Sequence, residues 1–433
     1  MSTPYEGVDE KGGVLPETDA SESTHTAVEP AREFPPYTRY LVVAGSFVIQ
    51  GLACGVVHAW GVQMEYLSSH VFAGDDAKTS TLSYVGTLML FSIYFWGLLA
   101  GWIAEVWSYQ GTCLVGTVIM AVGQLVASFC REPWQLCLAE GILFGIGIGL
   151  VFGPASTAPA RWFTAHRGLA TGIAVAGVGV GGLALAPLTE FLMRRTSVAW
   201  SQRIAAIYIL VLGTLASLVV RVPMQARGRS LGSFDWQAFR SVRFALHTVL
   251  VLFITAAYIV PFMFLPKFWV QHGISSETAS VMIAVANVTS SVGRIVIGLT
   301  ADYVGIMNTL VAAMAVVTAS CLALWPFATT VGSGIALGIV YGFASGGCWT
   351  LLPLVAGSMF GMERLASNAG TFYTVSAVGA WIGVPVADAL LRGPGGGTSY
   401  LGMSLYVGVL WTVALAAAAA NRWRTSARLF VKV

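Results

Sequence analysis

Arg294 stands inside an apolar run, about five residues from the end of its segment. An ionisable residue in hydrocarbon costs about 2.5 to 3.5 kcal/mol on insertion scales, so each one asks for a reason. The guanidinium of Arg294 is permanently charged, and its planar fork matches a carboxylate. His58, in "GVVHAWGV", offers an imidazole that is neutral or charged near neutral pH, able to bind an anion and carry its proton together. Asn287 and Ser290, close before Arg294, and Tyr373 add uncharged hydrogen-bonding groups for the same ligand. Glu140 and Asp388 are acids in apolar surroundings and, with His58, are the proton-coupling candidates. Each has a plainer alternative, a side chain hydrogen-bonded within a bundle for structural reasons.

The elements that hold these residues are membrane spans. Of 433 residues, 56% are hydrophobic and 10% charged, with a mean hydropathy of +0.75. An ordinary soluble domain carries about 25% charged residues. The apolar residues form twelve long runs, near 40–62, 83–104, 111–129, 134–160, 168–189, 204–222, 245–265, 279–299, 306–327, 331–355, 367–391 and 400–420. A helix of roughly 20 apolar residues crosses a hydrocarbon core of about 30 Å. The expected fold class is therefore an all-α integral membrane protein with twelve transmembrane helices.

An offset of 197 or 198 residues lays the chain on itself: "GWIAE" (Gly101 to Glu105) on "GLTAD" (Gly298 to Asp302), Phe163 on Phe360, Gly172 on Gly370, Pro187 on Pro385. Two six-helix pseudo-repeats are the simplest account, a known transporter plan. The expected domains are a disordered acidic cytoplasmic tail (1–39), a six-helix bundle (40–222), a cytoplasmic central loop (223–244), a second six-helix bundle (245–420) and a cytoplasmic tail (421–433). The central loop, with "FDWQAFRSVRF", suits either an interfacial helix or a plain basic linker. Lys and Arg fall mostly on the side of the termini, which places both termini in the cytoplasm.

The stretch "RWFTAHRGLATGIAVAGVGVGG" contains GxGxxG at Gly177, Gly179 and Gly182. A dinucleotide site needs a preceding strand and a later acid, and here the glycines lie within an apolar run. Gly177 and Gly181 instead make a GxxxG, and Gly141, Gly145, Gly149 and Gly153 recur at every fourth position, spacing that lets helix backbones approach closely in lipid. The six cysteines form no CxxC and read as small apolar residues, with no metal site expected. A net charge of +3 without a concentrated basic face argues against nucleic acid as a partner.

"RWFTAHRGLATGIAVAG" (Arg161 to Gly177) resembles the fifth-helix signature of the monocarboxylate porters of the major facilitator superfamily. "NVTSSVGRIVIGLTADYVG" (Asn287 to Gly305), "YIVPFMFLPKFWVQHGIS" (Tyr258 to Ser275) and "FDWQAFRSVRF" look like the fungal branch. The resemblance implies the major facilitator fold, a central cavity between two bundles, alternating access, and small organic anions or other metabolites as cargo. It also implies an anion-binding role for Arg294 and conformational switching for Glu105 and Asp302. Arg161 and Arg167 join them as gating candidates. Animal-type members carry an acid one turn before the arginine, where this sequence has Ser290, and a lysine in the first helix, where it has His58.

The function expected is secondary active transport of a small mono- or dicarboxylate, coupled to protons, by a monomer in the plasma membrane. The alternative is efflux of a fungal secondary metabolite. No HExxH, Walker motif or other catalytic constellation appears, so no enzyme and no cofactor beyond a proton gradient is expected.

Overall fold

A computed structural model describes residues 34–72, 76–223, 241–362, 365–391 and 400–425. The expectations for the acidic tail up to residue 33, for 224–240 and for 426–433 lie outside the described residues. Within them, twelve helical spans are long and apolar enough to cross a bilayer: α1 (Thr38–Val71), α2 (Thr81–Val106), α3 (Tyr109–Ala127), α4 (Pro133–Arg161), α5 (Arg167–Arg195), α6 (Val198–Val219), α7 (Val242–Gln271), α8 (Ser276–Val304), α9 (Ile306–Phe327), α10 (Val331–Phe360), α11 (Leu365–Leu391) and α12 (Leu401–Thr425). There is no strand among the described residues. Helices satisfy every backbone polar group internally, which a bilayer core demands.

Hydroxyl caps open several spans. Ser108 accepts from Gly111 N at 2.8 Å before α3, and Ser197, Ser241 and Ser275 do the same before α6, α7 and α8. Gly305 (φ 106°) and Gly361 (φ 93°) close α8 and α10 in a region that suits glycine. The expected spans recur with small shifts at their ends, except α1, which runs on past residue 62 through a π-helical turn at Leu67–Val71. α4 is the least regular span: a π-helical stretch, Cys137–Phe144, precedes the α-helical Gly145–Thr157.

The packing repeats as the sequence does. α1 lies along α5, α2 along α4 and α3 along α6; six spans later α7 lies along α11, α8 along α10 and α9 along α12. The glycines explain two of these contacts. Gly177 and Gly181 of α5 sit against the carbonyls of Phe47 and Gly51 of α1, where a Cβ would overlap. Gly141, Gly145 and Gly149 of α4 face Leu88, Ser92 and Trp96 of α2. An even number of spans brings the outer ends of α1 and α12 to one face, here the terminal face; the opposite one is the distal face.

Candidate functional site

At the terminal face the two halves are latched. Asp302, near the end of α8, accepts from Gly168 N (2.7 Å) and Leu169 N (2.9 Å) in the first turn of α5. Glu105, at the end of α2, accepts from Ser367 N (3.0 Å) in the first turn of α11. The opening turn of a helix has unpaired N–H groups and a partial positive charge, so a carboxylate there is doubly suited. Backbones touch beside each latch: a Cβ on Gly168 would collide with the carbonyl of Gly298 and the reverse, and one on Gly101 would collide with the carbonyl of Ala366. Arg161 donates to Tyr109 Oη (3.4 Å) and Arg167 to Phe163 O (2.8 Å), bonds that stay within the first half. Of the four gating candidates, the acids are the ones seen to join the halves.

Above the latch lies a cavity walled by α1, α2, α4 and α5 from the first half and α7, α8, α10 and α11 from the second. Its walls are mostly rings and aliphatic chains. Tyr94 of α2 stacks on Trp349 of α10, with centroids 5.6 Å apart and planes 15° apart. Phe152 of α4 meets Tyr373 of α11 edge-on at 5.4 Å, and Tyr258 of α7 meets Trp349 edge-on at 5.5 Å. Ser156 Oγ and Tyr373 Oη lie 3.4 Å apart.

Arg294 brings the fixed charge to this wall. It is 4% exposed, and its Nη1 donates to Val175 O of α5 (2.9 Å) and its Nη2 to Tyr258 Oη (3.2 Å), while Nε has no partner. The counter-ion that such a charge demands is therefore replaced by a carbonyl and a phenol; among the described residues no carboxylate pairs with it. His58 Nδ1 lies 2.7 Å from Cys54 O. A carbonyl only accepts, so this contact puts the proton on Nδ1 and leaves Nε2 for a ligand. His58 is exposed by surface area although it sits mid-span, because it borders the cavity.

Arg294, His58 and Tyr373 thus meet in one cavity. Asn287 and Ser290 share a helix with Arg294 but do not line the cavity: Asn287 Nδ2 donates to Ile283 O, and Ser290 packs on Gly346 of α10 with its Oγ unpartnered. Asp388 is half-buried towards the distal end of α11, and Glu140 is buried inside the first half; neither lines the cavity. The sequence reading missed Tyr258, Phe152, Ser156 and Thr255 on the wall. Ser156, Thr255 and Tyr258 left a signal, as hydroxyls within apolar runs; Phe152 left none. Among the described residues no cluster of His, Cys, Asp and Glu is fit to hold a metal ion.

Comparison with known proteins gives this geometry its family. The model of the Major Facilitator Superfamily matches residues 66–384. The agnestins efflux protein AgnL12 of Paecilomyces divaricatus is 28% identical over 393 residues, covering 90% of this chain and 88% of that one. The aspyridones efflux protein apdF of Emericella nidulans is 28% identical over 359 residues, covering 82% and 72%. The solved proton:xylose symporter XylE superposes with a TM-score of 0.72 at 13% identity, over 90% of this chain and 96% of that one, which speaks for the fold alone. With a family match over most of its length and twelve apolar spans, the chain is a multi-pass membrane protein and belongs to the Major Facilitator Superfamily.

Proposed function

We propose that the chain exports an amphipathic metabolite bearing an aromatic or similarly flat apolar body. The observation that carries this reading is the cavity wall, where Tyr94, Phe152, Tyr258, Trp349 and Tyr373 surround one arginine already half engaged by protein oxygens. A ring contact contributes about 0.5 to 1.5 kcal/mol beyond area burial, which a flat cargo gains and a small hydrated carboxylate does not. The names of AgnL12 and apdF, both efflux proteins, support the same direction.

A second reading, transport of a small organic anion as in the monocarboxylate porters, is favoured by the open Nε of Arg294 and by Nε2 of His58. Both readings use alternating access, with Glu105 and Asp302 as the latches of one state. With the terminal face in the cytoplasm, as the basic residues suggest, the state described is closed to the cytoplasm. The plasma membrane follows as the site of an exporter, and one chain supplies every wall of the cavity, in keeping with a working monomer.

Efflux is tested by loading cells with 1-naphthoate, a flat aromatic anion, and following its loss with and without this protein. Faster, saturable loss supports export. Unchanged loss, or faster accumulation, contradicts it.

A further inference from the structure

Outside the cavity, the first half buries an acid among amides. Glu140 is 0% exposed, within the π-helical stretch of α4. Gln202 Nε2 of α6 donates to its Oε1 at 2.9 Å, and Gln63 Nε2 of α1 to its two oxygens at 3.2 and 3.3 Å. Gln124 of α3, 2% exposed, interacts with the same carboxyl, yet its Nε2 has no partner within bonding distance. Three helices therefore point glutamines at one acid on a fourth.

The charges nearby turn elsewhere. Arg203, next to Gln202, donates to Ser128 Oγ at 3.3 Å and lies 5.1 Å from the ring centres of Phe129 and Trp200. Lys78 pairs with Glu132 at 3.2 Å. On α2, Ser92 Oγ donates to Gly141 O at 3.3 Å. The titratable groups that feel Glu140 are Cys130 and Tyr208, both neutral acids.

This surrounding differs from an ion pair in one chemical respect. A lysine or arginine serves only the ionised carboxylate. An amide carries both an NH₂ donor and a C=O acceptor, so by turning over it serves the carboxylate or the protonated acid. Either form of the carboxyl can then keep hydrogen-bond partners, which lowers the cost of a change of protonation. π-helical turns within α-helices also occur preferentially at functional sites. Gln63 lies five residues, about 7.5 Å of helix rise, beyond the cavity residue His58 on α1. α4 likewise carries both Glu140 and the cavity residues Phe152 and Ser156.

We propose that Glu140 is a proton-binding site of the transport cycle, separate from the cargo cavity and linked to it through α1 and α4. The carboxylate takes one proton from water to become the neutral acid, one of Gln63 and Gln202 turns its carbonyl to accept from the new O–H while the other goes on donating, and release of that proton to water restores the starting state. The role in the cycle rests on the transporter reading above; the protonation site itself does not.

Infrared difference spectroscopy over a pH titration, on full-length protein in lipid nanodiscs, tests the site without any cargo. The expected result is a titrating carboxylic-acid carbonyl band that Glu140→Gln removes. Gln202→Leu, which keeps the acid, is expected to shift the band's midpoint. A band set unchanged in Glu140→Gln, a midpoint unmoved by Gln202→Leu, or a band that answers to sodium at fixed pH overturns the proposal. In proteoliposomes given 1-naphthoate, Glu140→Gln is expected to keep exchange without a gradient and lose the response to a pH gradient. A retained response overturns the role in the cycle. A titrating band in wild-type protein that moves no naphthoate leaves the site standing and overturns the transport reading with that role.

Discussion

Arg294 Nη1 on α8 donates to the carbonyl oxygen of Val175 on α5 at 2.9 Å, so the fixed cation of the cavity is also a bridge between the two halves. A cargo oxygen that claims this N–H competes with an inter-half bond. Cargo binding and separation of the halves at α5 and α8 therefore draw on one side chain, which gives a direct physical route from occupancy to conformational change.

Replacing Arg294 by Gln removes the charge and keeps a hydrogen-bonding side chain. Hydrogen bonds to charged groups contribute about 1.5 to 3 kcal/mol, so cargo flux is expected to fall roughly 10- to 100-fold. Delivery to the membrane, read by surface labelling, should be unchanged. Arg294→Lys keeps the charge without the fork and should fall between the two.

Asp302→Asn and Glu105→Gln put an amide where backbone N–H groups need an acceptor with negative charge. Both should loosen the terminal face, since each carboxylate holds the first turn of a helix of the other half. Spin labels at the terminal-face ends of α2 and α11, and of α5 and α8, should report longer distances. Unchanged distances in both variants would contradict the latch.

Gly168→Val forces α5 away from Gly298, since no room exists for a Cβ there. The state closed at the terminal face should be depopulated, and cysteine labelling of that face should speed up. Gly153→Ala is the control: nothing lies within 4 Å of the added carbon, so labelling and thermal stability should stay near wild type.

Trp349→Ala removes the ring that Tyr94 and Tyr258 both contact. For 1-naphthoate, KM should rise about 3- to 10-fold, in line with the loss of one aromatic pair. Trp349→Phe should be milder, because Trp349 Nε1 is buried without a partner and its loss breaks no bond.

Much of this architecture was legible in the chain because a bilayer writes it in long apolar runs. The offset that lays Gly101 on Gly298 is matched by equivalent helix pairs and by the acids Glu105 and Asp302 on opposite helix starts. Arg294, His58 and Tyr373 were found as polar or charged residues out of place. Phe152 was not, because lipid and protein interior are both apolar, so no stripe of polarity marks which face of a span looks into the cavity. The glutamines around Glu140 show the opposite lesson: Gln63, Gln124 and Gln202 stand in apolar runs and carried a readable signal, since a buried amide asks for a partner as an acid does. Ser290 and Asn287 stand four and seven residues before Arg294, on the same side of α8, yet neither lines the wall, because Ser290 is packed against Gly346 of α10 and Asn287 bonds back to Ile283 O.

On the reading proposed above, the cavity selects a flat, apolar-bodied cargo held at Arg294. Counterflow of labelled 1-naphthoate in proteoliposomes, with unlabelled aromatic acids, lactate and succinate as competitors, tests it most directly. The expected result is saturable uptake that aromatic acids suppress, that lactate and succinate leave untouched, and that Arg294→Gln lowers roughly 10- to 100-fold. Saturable transport of lactate or succinate, with naphthoate neither carried nor competing, would contradict it.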